Sequence, residues 1–93
     1  MKSEFVHLHN HSDYSLLDGA QNVEVLVNTI GDLGMDSVAL TEHGNMFSVI
    51  PYYKAARKKG IKPIIGCEIY VAQGSRFDKK VRAEGGWGNN HLV

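Results

Sequence analysis

Ser37-Val38-Ala39-Leu40-Thr41, followed at once by Glu42-His43-Gly44-Asn45, decides the fold. Five residues with no charge make a strand too apolar to have a wet face, and such strands belong to the interior of a parallel sheet. The segment before it has apolar residues at 23, 26, 27, 30 and 33, the spacing of one helix face. Asn22 is placed to cap that helix and Gly34 to stop it; Gly31 inside it costs roughly 1 kcal/mol relative to alanine. A second helix is expected over Val49 to Lys59, with Ser48 as its N-cap. Pro51 is tolerated there because it falls in the first turn, and Gly60 ends the helix. Pro63 to Val71 reads as the next strand. Residues 73–90 read as a polar loop, and His91-Leu92-Val93 begins a further strand.

Before the first helix, Phe5 to His9 reads as an opening strand and His11 to Gly19 as a polar loop. Strand, helix, strand, helix, strand with short connections is the βαβ pattern, which predicts an α/β fold with parallel strands. Right-handed crossovers put the C-terminal ends of those strands at one rim, where parallel α/β folds build their sites. Chemistry-bearing residues fall at that rim: His9 and His11 at the end of the opening strand, Asp18 beyond it, Glu42 and His43 after the next, Glu68 in the third, and His91 at the start of the fourth.

His7-Leu8-His9-Asn10-His11 places three imidazoles at alternate positions, and in an extended strand all three project to one side. Such a row suits a first-row metal ion, the other reading being a polar strand edge with satisfied histidines. Cys67 reads as a buried small hydrophobe rather than a ligand. Tyr14 and Ser15 line a cleft or pack within the loop. Trp87 is expected to pack on the domain, and Phe47, Tyr52 and Tyr53 to belong to the core.

Ninety-three residues with 43% hydrophobic content make at most one small domain. One cysteine excludes an internal disulfide framework and fits a reducing compartment. No stretch approaches about 20 apolar residues, so no membrane span or membrane partner is expected and the cytoplasm is the expected location. The net charge is zero but unevenly spread: residues 1–53 hold one lysine against seven acids, and residues 54–82 hold nine basic residues against Glu68 and Asp78. All but one of the histidines lie in the acidic part, which suits cation binding. The basic part fits either a polyanion or a solvated helix face bearing Lys54, Arg57, Lys58 and Lys59.

The runs FVHLHNHSDYSLLDGA (from Phe5), VALTEHGNMFS (from Val38), YYKAARKKGIKPIIGCEIYVA (from Tyr52) and NNHLV (from Asn89) resemble the first four motifs of the PHP (polymerase and histidinol phosphatase) domains. Their flanks are similar to the PHP domains at the N-termini of bacterial DNA polymerase III alpha subunits. That resemblance implies the N-terminal part of a distorted (β/α)7 barrel, with residues 1–93 a partial PHP domain cut within the fourth motif and lacking the polymerase palm. It implies His9, His11, Asp18, His43, Glu68 and His91 as metal ligands, with Glu68 bridging. His7 stands where relatives often carry Asp and, with Glu42, is expected just outside the ligand set, orienting ligands by hydrogen bonds.

Zn²⁺, Mn²⁺ or Fe²⁺ suits such a set, and the implied chemistry is a phosphoesterase or 3′–5′ exonuclease. For the parent protein the resemblance implies a DNA-directed DNA polymerase, a nucleotidyltransferase of DNA replication using Mg²⁺. Its partners would be DNA, deoxynucleoside triphosphates, the proofreading subunit and the sliding clamp. The 93-residue piece alone is expected to be inactive and, with open sheet edges, marginally stable. The alternatives are a free-standing histidinol-phosphatase-like enzyme and a non-catalytic structural module of the polymerase.

Overall fold

The computed structural model describes residues 4–15, 19–77 and 89–93. Helix α1 (Val23–Asp32) is followed by strand β1 (Ser37–His43), helix α2 (Val49–Lys59), strand β2 (Lys62–Ala72) and strand β3 (Asn89–Leu92). The sheet order is β1-β2-β3. β1 and β2 are parallel, with Leu40 opposite Ile65 and His43 opposite Glu68.

Both helices end as their glycines dictate. Gly34 and Gly60 take φ of 78° and 77°, the left-handed region that disfavours side chains. Each donates its own N–H back to the helix, to Gly31 and Arg57, while the next residue, Met35 or Ile61, reaches the carbonyl of Ile30 or Ala56. At the other end of α1 the Asn22 side chain accepts from the Glu24 amide at 2.8 Å. α2 departs from expectation here: Ser48 makes no side-chain cap bond and is buried, facing Glu42 instead.

Val38 and Leu40 of β1 face the helices and form the core with Val23, Leu26, Val27 and Ile30 of α1, Tyr52 and Ala56 of α2, and Ile61. The Tyr52 hydroxyl donates to the Val38 carbonyl, so the polar atom it carries into this core has a partner. Burial pushes that phenol up to about 12, against the smaller opposite effect of the Ile64 backbone. Gly31 lies under Lys59, whose side chain comes within 3.1 Å of where a Cβ would be. Phe47 and Tyr53 are not core: Phe47, ahead of α2, is 76% exposed, and Tyr53 is 45% exposed because α2 turns only its Tyr52–Ala56 face inward.

Two expectations about strands need correction. First, β3 is antiparallel to β2, with His91 opposite Tyr70, so the parallel pattern stops after two strands. No helix is described between β2 and β3, and antiparallel return needs none. Second, Phe5 to His9 is not a strand of the sheet, although it runs beside β1. Ala39 N–H donates to the His7 carbonyl at 3.0 Å, and Thr41 N–H to the Asn10 carbonyl at 2.9 Å. Two steps along β1 are met by three along the segment, and the extra residue breaks the ladder as a bulge does. Among the described residues, no helix is long and apolar enough to cross a membrane.

Candidate metal centre

Strand alternation sorts β1 into two faces. Val38, Leu40 and Glu42 share the helix side; Ala39, Thr41 and His43 share the other. In the parallel register Thr41 meets Gly66 and His43 meets Glu68. Gly66 has no room for a side chain, since a Cβ there would lie 2.9 Å from the Thr41 methyl. Glu68 therefore emerges beside His43, on the face opposite the core.

Glu68 is buried, and both of its carboxylate oxygens are used. His9 Nε2 donates to Oε2 at 2.9 Å, and His11 Nε2 donates to the same oxygen. His91 Nδ1 donates to Oε1 at 2.8 Å. Burial alone would raise this carboxyl, but the bonds from His9, His91 and His11, and the charge of His43, hold it down to about 2. The His11 and His43 rings lie at 32° to each other with centroids 4.8 Å apart, and His43 and His91 pack edge to face at 4.7 Å.

Two candidate ligand triads result, His9–His11–Glu68 and His43–Glu68–His91, each with candidate ligand atoms within 4.8 Å of one another. Four imidazoles around one carboxylate are the donors that first-row divalent cations take, and a carboxylate with one oxygen in each triad can serve two ions. The donor set fits metal.

Of the residues read from the sequence as ligands, His9, His11, His43, Glu68 and His91 converge here. Asp18 lies outside the described residues, as does Trp87. His7 does not join them: its ring stacks edge-on against Phe5 at 4.8 Å, and it is part of neither triad. Glu42 is not beside the ligands either. It is 2% exposed on the helix side and accepts from the Ser12 amide and the Ser15 hydroxyl, both at 2.8 Å, and from the Ser12 hydroxyl. Burial raises this carboxyl, yet the donors on Ser12, Ser48 and Ser15 together hold it below its ordinary value. The Ser15 hydroxyl also accepts from the His43 amide at 2.9 Å. Glu42 thus fastens the loop after His11 to the end of β1. Cys67 is half-buried, its thiol directed at the Glu42 carbonyl at 3.6 Å.

Tyr70 was missed by motif reading. Its hydroxyl lies 3.0 Å from His43 Nδ1, and its ring stacks on that imidazole at 5.5 Å and 22°. The period of two could have found it, since Tyr70 follows Glu68 by two along β2 and shares its face.

The family model described as the PHP domain matches residues 7–93. The chain is 54% identical over 78 residues to the DNA polymerase III subunit alpha of Mycobacterium tuberculosis, covering 84% of the chain and 7% of that protein. It is 55% identical over 78 residues to the subunit of the same name from Treponema pallidum, covering 84% and 7%. For that of Aquifex aeolicus the figures are 48% over 82 residues, covering 88% and 7%. The chain thus spans about 7% of the length of these curated relatives. With five of the six expected ligands gathered on one face and a family match over nearly its whole length, the chain belongs to the PHP domain family.

Proposed function

We propose that this chain is the PHP portion of a replicative DNA polymerase of the DNA polymerase III alpha type, and that its histidine–glutamate cluster is a metal-dependent phosphoesterase site acting as a 3′–5′ exonuclease on DNA. The single observation that carries the site is Glu68, a buried carboxylate with one oxygen turned to His9 and His11 and the other to His91. Identity near 50% to proteins named as polymerase subunits supports the parent activity over a free-standing phosphatase. In the complete protein that activity is template-directed nucleotide transfer with Mg²⁺, on DNA and deoxynucleoside triphosphates, beside the proofreading subunit and the sliding clamp. The full domain would be the (β/α)7 barrel, of which residues 1–93 supply a part, and Asp18 would complete the ligands of this part.

Zn²⁺, Mn²⁺ or Fe²⁺ held by these residues would lower the pKa of a bound water and take up charge on the phosphoester oxygens. The protein's share is positioning. Glu68 stays ionised at any working pH, because its neighbours hold its carboxyl near 2. A Tyr70 hydroxyl that accepts from His43 Nδ1–H keeps the tautomer whose lone pair is on Nε2, the usual role of a partner behind a ligating histidine. His9, the most exposed of the three side chains on Glu68 at 56%, marks the side from which a polymer can enter.

The test is metal content and 3′-exonuclease activity of the full-length protein beside its His9→Ala and Glu68→Ala variants. Wild type is expected to retain metal and trim single-stranded DNA, His9→Ala to lose part of the metal and Glu68→Ala all of it, and both variants to lose activity. Equal metal in all three, with unchanged trimming, defeats the assignment.

A further inference from the structure

The bulge beside β1 has a builder. In a regular parallel ladder the Ala39 carbonyl would accept from the backbone amide two residues after His7, which is His9. Here that carbonyl accepts instead from the Asn10 side-chain amide at 3.0 Å, which also lies 3.4 Å from the His7 carbonyl. The Asn10 backbone is taken up as well: its N–H donates to Thr41 Oγ1 at 3.1 Å, and its carbonyl accepts from Thr41 N–H at 2.9 Å and from Thr41 Oγ1 at 3.2 Å. The side chain thus supplies the donor that the inserted residue displaced.

The insertion changes which histidines face Glu68. His7 and Asn10 hold equivalent places against β1, since their carbonyls receive successive inward amides. His9 and His11, on either side of Asn10, take the other face, where both reach Glu68 Oε2. Without the bulge, strict alternation would put His7 with them and shift the row by one place.

We infer that Asn10 is a positioning residue for the metal cluster, splinting a one-residue bulge that selects His9 and His11 as the ligand pair and turns His7 away. This rests on the metal-binding reading of the same cluster. Asn10 itself touches neither triad; it acts only through the backbone it holds, against Ala39 and Thr41.

The experiment compares wild type with Asn10→Leu, which keeps the volume and lacks the donor, and with Thr41→Val, which removes the hydroxyl that binds both Asn10 backbone groups. Zn²⁺ affinity is measured by competition with a chromophoric chelator, alongside thermal melting and ¹⁵N-histidine spectra of the metal-free chain. Loss of a group that orients metal ligands typically weakens binding by about 10- to 100-fold. Each variant is expected to bind Zn²⁺ at least tenfold more weakly while still melting cooperatively, with the His9 and His11 ring signals moved in the metal-free spectra. Folded variants that bind within twofold of wild type and leave those signals in place overturn the inference. If Asn10→Leu does not fold, Thr41→Val decides, valine being at home in a buried strand. If wild type itself takes up no Zn²⁺, the metal reading fails, and the metal-free ring signals alone decide the role of Asn10.

Discussion

His43 and Glu68 are direct partners in the parallel register of β1 and β2, so half of the cluster is fixed by the sheet itself. The other half is brought to Glu68 from outside the sheet, by His9 and His11 on a segment tied to the far edge of β1. One carboxylate joins the halves, and the loss of different members should have different effects.

Removing one histidine should empty one triad, whereas neutralising the shared carboxylate should empty both. His11→Ala is expected to lower bound metal by about one ion per chain and to leave His43, Glu68 and His91 able to hold the other. Glu68→Gln, similar in shape but uncharged, is expected to abolish tight binding altogether. Elemental analysis of dialysed protein separates the two; equal losses in both variants would mean that the triads do not act as two sites.

Glu42→Gln should destabilise the fold by about 1–3 kcal/mol, because it turns an amide toward donors on Ser12 and Ser15 and leaves a buried hydroxyl without its acceptor. The Glu42 carboxyl is depressed in the folded chain, so its contribution is present above the ordinary carboxylate range and is lost as the pH falls through it. The gap between wild type and variant in urea unfolding should therefore narrow from pH 7 toward acid. A gap independent of pH would remove the ionised carboxylate from the account.

Tyr52→Phe keeps the ring and deletes the bond to the Val38 carbonyl, at a cost of about 1 kcal/mol. The folded phenol is raised to about 12, so its stabilisation is whole below pH 10 and is lost as the pH climbs toward 12. Wild type should lose stability faster than the variant between those pH values, by thermal melting. Parallel alkaline profiles would mean that the buried phenol plays no part.

Two glycines should respond differently to alanine. Gly60 has open space around it and only its positive φ to lose, so Gly60→Ala should cost about 1 kcal/mol of stability and leave metal affinity alone. Gly44 also has a positive φ, of 65°, and a Cβ there would come within 2.8 Å of the Tyr70 ring. Gly44→Ala is expected to push Tyr70 off His43 and weaken metal binding as well. Melting temperature and chelator competition on both variants check this; unchanged affinity in Gly44→Ala would detach Tyr70 from the site.

The parts of this molecule that a sequence reading can reach are those set by local periodicity. The apolar face of α1, the stop signals Gly34 and Gly60, and the apolar run of β1 all follow from neighbours within a few residues, and both helices fall where spacing puts them. His43, Glu68 and His91 were legible because each lies in a strand near the cluster, and His9 and His11 because they stand at alternate positions in the segment beside β1. The misreadings share a cause of another kind, the pairing between distant segments. Nothing near Phe5–His9 announces that Asn10 will insert itself against Ala39, and that contact interrupts the pairing that would make the segment a strand. Glu42 is expected from the sequence just outside the ligand set, and its actual partners, Ser12, Ser15 and Ser48, come from segments on both sides of it in the chain. The direction of β3 against β2 is likewise a pairing between distant segments, which alternation in four residues does not encode.

The order of the cluster's residues along the chain also sets a timetable. A nascent chain grows from its N-terminus at about 5–20 residues per second. His9 and His11, which meet one oxygen of Glu68, have already been made when Glu68 is added. His91, which meets the other oxygen, is added 23 positions later. At that pace the delay is about one to five seconds, so on the proposed metal-binding reading the early side of Glu68 would meet a cation while the late side is still being synthesised. Loading of this cluster would then have an order, written by the ribosome rather than by relative affinity.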